Sequence, residues 1–292
     1  MTKGIFIFVL AIVFFLSSCS KKQNAEVDNE TQSVLDFSTT SRDFIFLISS
    51  VHHALVNTPG TGANQNKIGL TACQALTKMS GDTLWATPGH INPTYSIAIS
   101  NIITCNNQSF LFNNNNTLGE VFITLNDKLQ NTGAITTIKI KSQWIERLGE
   151  AYSAPAYNLC DSITLKTVNS DANSAGFEAN LVNGKIKQDF TAKVSKLTFN
   201  IKLQSYLSNV AAPYTAFYGL ANGTNINDLP YKVTIGQDAS IIKAKNCSYF
   251  ESGKADIEPF GFKTRTVNYG SGSCDNNANF TVNGNTIAFK IK

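Results

Sequence analysis

The chain has 292 residues, of which 42% are hydrophobic, 15% charged and 10% aromatic, so it can bury a large core and is neither disordered, collagen-like nor coiled-coil. Its 24 basic and 20 acidic side chains leave a net charge of +4, and the basic set holds just three arginines, Arg42, Arg147 and Arg265. Bidentate phosphate or base recognition favours arginine on a basic stripe, so a nucleic-acid partner is not expected.

Lys3 precedes an unbroken apolar run from Gly4 to Leu16, too short for the roughly 20 residues of a spanning helix and suited to a secretory signal. Leu16-Ser17-Ser18-Cys19 follows and resembles the lipobox of bacterial lipoproteins. The resemblance implies a signal peptide over 1–18, cleavage before Cys19, and lipid attachment to Cys19, with palmitate a representative acyl chain. Burial is worth about 0.8 kcal/mol per CH₂, so several chains on one cysteine anchor a protein lastingly where one would not. The membrane is therefore the first expected partner. Ser20, where an aspartate would signal retention in the inner membrane, favours the outer membrane. Residues 19–33 carry few large apolar side chains and read as a flexible tether.

Phe44, Leu47, Ile48, Val51 and Leu55 fall at helical spacing, which predicts an amphipathic helix over about 41–57, opened by a Thr40–Asp43 capping box and stopped by Pro59-Gly60. A second helical stretch is expected over Ile68–Met79, making 34–90 a helical N-terminal region. From about residue 93 the period becomes two. Runs at 94–103, 120–126, 134–142, 162–168, 176–182, 185–194, 196–204, 231–235, 264–269, 279–283 and 285–291 alternate apolar with polar residues and predict strands. Asn183-Gly184 and Asn283-Gly284 each join two such runs, the pattern of a two-residue hairpin whose central residues need positive φ. The segment 143–152, with Glu146 and Glu150 four apart, is the exception and reads as a short helix. The expected fold is mainly β, antiparallel sheets in a meander or sandwich behind an N-terminal amphipathic helix region, with a β body over 91–240 and a C-terminal β segment over 241–292.

Five cysteines remain beyond Cys19, and an exported chain favours disulfides. Cys247 and Cys274 bracket two strand-like runs in one compact segment and are the favoured pair; Cys73, Cys105 and Cys160 cannot be paired from spacing. The stretch from Cys247 through Ser252-Gly253-Lys254 and Tyr269-Gly270-Ser271-Gly272-Ser273-Cys274-Asp275 to Asn283-Gly284 resembles the tail of uncharacterised lipoproteins of Bacteroidota-type bacteria. That resemblance implies an envelope lipoprotein with an all-β C-terminal region and a Cys247–Cys274 bridge. Asn268 and Ser271 depart from it, standing where the pattern tends to be acidic.

Chemistry-bearing patterns are sparse. His52-His53 falls on the predicted helix at the edge of its apolar stripe, His90 in a loop, and Gly270-Ser271-Gly272-Ser273 lacks the spacing of a nucleophile elbow. Glu146 and Glu150 read as a solvated face rather than a glycosidase pair. Asp171-x-Asn173 and Asp275-x-Asn277-x-Asn279 open like calcium loops but lack, respectively, the closing glutamate and the turn glycine. Tyr206, Tyr214, Phe217 and Tyr218 cluster where core packing competes with a sugar-stacking patch. No metal or cofactor site is expected. The leading expectation is a non-catalytic structural or binding module of the cell envelope, partnered by the membrane and by a glycan or envelope protein. A glycan-binding or adhesive surface lipoprotein comes second and a secreted hydrolase third.

Overall fold

A computed structural model of the protein describes residues 28–56, 74–80, 94–99, 119–140, 157–171, 174–187, 193–206, 214–244 and 247–291. Among these residues one α-helix, α1 (Gln32–Val56), precedes fifteen strands. They are β1 (Gln74–Ser80), β2 (Thr94–Ile99), β3 (Gly119–Leu125), β4 (Ile135–Ile140), β5 (Tyr157–Leu159), β6 (Ser162–Ser170), β7 (Ser174–Lys187) and β8 (Val194–Tyr206). The C-terminal half adds β9 (Tyr214–Thr224), β10 (Pro230–Ile235), β11 (Ile241–Ala244), β12 (Ser252–Pro259), β13 (Arg265–Ser271), β14 (Asn277–Val282) and β15 (Asn285–Lys290).

The strands form one antiparallel sheet in which each nearly always pairs with its neighbour in the chain, a meander from β1 to β15 with β5 beside β7. Strands β10 and β11 lie end to end along β9, separated by a 3-10 turn at Gln237–Ala239, and both also pair with β12. The expected mainly β, antiparallel architecture is thus present as a meander, and strands from 91–240 and 241–292 share the sheet.

Period-two patterning gives the sheet a dry and a wet face. On β8, Leu197, Phe199, Ile201 and Leu203 are buried while Lys196, Thr198, Asn200 and Lys202 are exposed. On β12, Ala255 and Ile257 alternate with Lys254, Asp256 and Glu258 in the same way. Strands facing lipid need apolar residues on their outer side, so the outer face of these strands is a water face. Among the described residues no helix is long and apolar enough to cross a membrane.

The helix lies on the dry face. Phe37, Phe44, Ile45, Ile48, Val51 and Leu55 join one core cluster with the inward residues of the sheet. Its polar positions from Ser33 to Asp43 are buried too, and many of them hydrogen-bond. The Ser38 hydroxyl meets the Tyr269 hydroxyl at 2.9 Å, Thr40 meets Ser195 at 3.2 Å, Ser49 meets Thr215 at 3.2 Å, and Asp36 accepts from the Ile226 amide at 2.6 Å. Burial of hydroxyls at this depth is tolerable because such pairs satisfy them.

Several expectations are corrected. The helix starts at Gln32 rather than near 41, and Thr40, expected as its cap, is an interior residue bonded to Ser195. The Ser33 amide instead donates to the Glu30 carboxylate at 2.7 Å. Residues 74–79, expected as helix, form β1. Asn183-Gly184 is not a hairpin: it sits inside the continuous β7, where the register with β8 shifts between Leu181 and Gly184, and the positive φ of Asn183 (51°) serves a bulge. Asn283-Gly284 is the expected hairpin, with φ of 54° and 78° and Val282 opposite Asn285. The expected helix at 143–152 lies outside the described residues.

Candidate functional site

Helix α1 starts at one end of the meander, where β8 and β13 begin and β9 and β12 end, and there the chain preceding the helix is fastened to the sheet. Arg265, fully buried at the start of β13, donates from Nε to the Glu30 carbonyl at 3.0 Å and from its terminal nitrogens to the Asp28 carboxylate and the Lys263 carbonyl. Its Nε also lies 3.6 Å from the Glu30 carboxylate, and its guanidinium stands over the Phe262 ring at 5.5 Å from the centroid. Lys263 donates its amide to Asp28 at 3.3 Å. Asn225, in the β9–β10 turn, donates to Glu30 and to the Ser33 hydroxyl. An arginine suits this clasp because its fork serves several acceptors at once.

The β12–β13 turn beside the clasp carries the most exposed large apolar side chain among the described residues. Phe260 is 77% exposed and Phe262 44%, two residues apart across Gly261, whose φ of 80° makes the tight turn. Hydrogen bonds from the Phe260 amide to the Pro230 carbonyl (2.8 Å) and from the Phe262 amide to the Pro259 carbonyl (3.1 Å) hold the turn in place. Among the described residues the other exposed large apolar side chains, Leu220 and Val182 among them, lie one to a strand. Next to the turn is a depression of about 380 Å³ lined by Asn222, Tyr231, Lys232, Glu258, Phe260 and their neighbours. A second, of about 250 Å³, shares Asn222 and Gly223 with it and extends toward Lys185 and Lys196. Gly223 is opposite Tyr231, and the space a side chain would take is filled by the Tyr231 ring. Tyr231 is buried and its hydroxyl has no hydrogen-bond partner among the described residues; burial first, then the Asp36 carboxylate, holds its proton well above the usual phenol range.

The residues singled out from sequence are elsewhere. His52 is buried in the core with its ring edge-on to Phe177 at 4.8 Å. Phe217 is core, packed on Phe250, while Tyr206 and Tyr214 stack on each other at 4.5 Å. Asp171 and Asp275 accept from nearby backbone amides, those of Ser174 and Asn277, as turn-forming aspartates do. Asn268 likewise accepts from the Gly270 amide. Cys247 and Cys274 are joined in a disulfide with Cα atoms 5.5 Å apart. Glu251 lies close to that pair, but bonded sulfurs offer no thiolate to a metal, and burial, opposed by Lys243, raises the carboxyl above its ordinary range. Cys160 is a free thiol. Cys19, Cys73, Cys105, His90, Glu146 and Glu150, and the side chain of His53, lie outside the described residues.

Neither the Arg265 clasp nor the phenylalanine turn was among the expected sites. Pro259-Phe260-Gly261-Phe262-Lys263 is a legible turn, but exposure of its rings is a property of the fold. No protein-family description, no curated protein and no solved structure matches this chain.

Proposed function

We propose that the protein is a lipid-anchored component of the bacterial cell envelope: cleaved before Cys19, acylated there, and presenting a non-catalytic, sheet-built body that serves a structural or binding role. The observation that carries the reading is the order of apolar run, small pair and cysteine over residues 4–19. Support for a water-borne body comes from the charged and polar residues on the outer sides of β8 and β12. Support for a non-catalytic role comes from His52, which is sealed in the core. Ser20 favours the outer membrane over the inner.

Metabolic labelling with a palmitate analogue tests the anchor. The wild-type chain should take label and lose residues 1–18, and Cys19→Ala should do neither. Label retained by the alanine variant, or a wild-type chain recovered with its leader intact, overturns the proposal.

A further inference from the structure

The leash that would join the lipid to the body is short, and its landing point is fixed. Nine residue steps separate Cys19 from Asp28, a span of about 30 Å at full extension. Asp28 is held by Arg265 and by the Lys263 amide, so the leash meets the body one residue from Phe262. At that spot the protein exposes Phe260 and Phe262 together, while the other exposed large apolar side chains among the described residues lie one to a strand. Two rings on a braced turn, followed directly by Lys263, suit the boundary between acyl chains and headgroups, where rings enter and the ammonium stays wet. Two exposed aromatics side by side on one turn also ask for an occupant.

We infer that the Phe260–Lys263 turn is a second point of membrane contact, seated in the headgroup layer of the bilayer that carries the Cys19 lipid. The inference rests on the lipid anchor proposed above. Together the lipid and the turn fix which end of the meander faces the bilayer, with the Arg265 clasp between them. The depression lined by Phe260 and Tyr231 then opens toward the lipid surface.

The test uses the full acylated chain in vesicles of phosphatidylethanolamine and phosphatidylglycerol, with a tryptophan placed by Phe260→Trp or, as a control on the wet face, by Leu220→Trp. Each is read against the wild-type chain, which supplies the background from its two native tryptophans. Brominated lipid should quench the added emission of Phe260→Trp at least about twofold more than that of Leu220→Trp, since an interfacial residue sits within about 5–10 Å of the acyl boundary. Equal quenching of the two, in vesicles with which the chain co-floats, overturns the contact and leaves the anchor standing. Emission that answers to soluble peptidoglycan strands and not to brominated lipid also overturns it, and marks the depression as a glycan site. A wild-type chain that takes no palmitate label and fails to float removes the anchor, and the contact with it.

Discussion

Replacing Arg265 by methionine keeps the bulk of the side chain and removes its charge, leaving two carboxylates stranded. The Asp28 and Glu30 side chains are 10% and 6% exposed, so water can do little for them once the guanidinium is gone. Breaking a buried ion pair from one side typically costs about 3–5 kcal/mol, and the Glu30 and Lys263 carbonyls lose their donor as well. Against a usual stability of about 5–15 kcal/mol, that is a large fraction. Urea unfolding followed by circular dichroism should place the Arg265→Met midpoint about 1–2 M below wild type, taking a slope of about 3 kcal/mol per molar. Adding Asp28→Asn and Glu30→Gln to Arg265→Met should recover more than half of the loss, because the penalty lies in unpaired charge rather than in lost volume. A loss below about 1 kcal/mol, or no recovery in the triple variant, would refute the view that the clasp pins the incoming chain electrostatically.

Other outcomes follow from the same geometry. Gly219→Ala puts a Cβ 2.7 Å from the Asn200 carbonyl oxygen at a φ of 136°, and should cost on the order of 1–3 kcal/mol in thermal or urea unfolding. Opening the Cys247–Cys274 bridge by a double serine substitution frees a loop of 27 residues and should cost about 3.5 kcal/mol on the chain-entropy account; a loss under about 1 kcal/mol would argue against it. Tyr269→Phe leaves the Ser38 hydroxyl buried without its 2.9 Å partner and should cost about 1–2 kcal/mol by the same assay. Burial, opposed by a backbone hydrogen bond with Ile140 and aided by the Asp161 carboxylate, lifts the Cys160 thiol from 9.0 to about 12. Peptide-resolved alkylation at pH 8 should therefore be on the order of 10³ slower in the fold than in urea. Between pH 9.0 and about 12 the unfolded chain loses a proton that the fold keeps, so this group makes stability fall as pH rises through that window.

Much of the sheet was legible because alternation survives where one face is dry: 196–204 falls inside β8, and 279–283 matches β14 to within its last residue. The helix was legible only in its apolar second half. Between Ser33 and Asp43 the polar residues resemble a linker and a cap, and nothing in their spacing reveals that Tyr269, Ser195 and Ile226 receive them more than 150 residues later. Asn183-Gly184 misleads because positive φ serves a bulge as well as a hairpin, and the choice is made by the register between β7 and β8. Strand β9 was passed over since Gly219 and Gly223 interrupt its pattern; both are demanded by close neighbours, Asn200 and Tyr231. The Arg265 clasp had no sequence signal, since its partners are brought together only by the return of β13 beside the helix start.

The buried helix also sets an order of events. It emerges from the ribosome before any strand of the sheet, yet the groups that receive it belong to segments made much later, the last of them near the C-terminus at Tyr269. With so many of its polar groups awaiting distant mates, α1 has no stable home until nearly the whole chain is available. Contacts of such sequence span make folding slow. On the export route proposed above, that delay would be useful, since a polypeptide that cannot finish itself early stays loose enough to be threaded across a membrane.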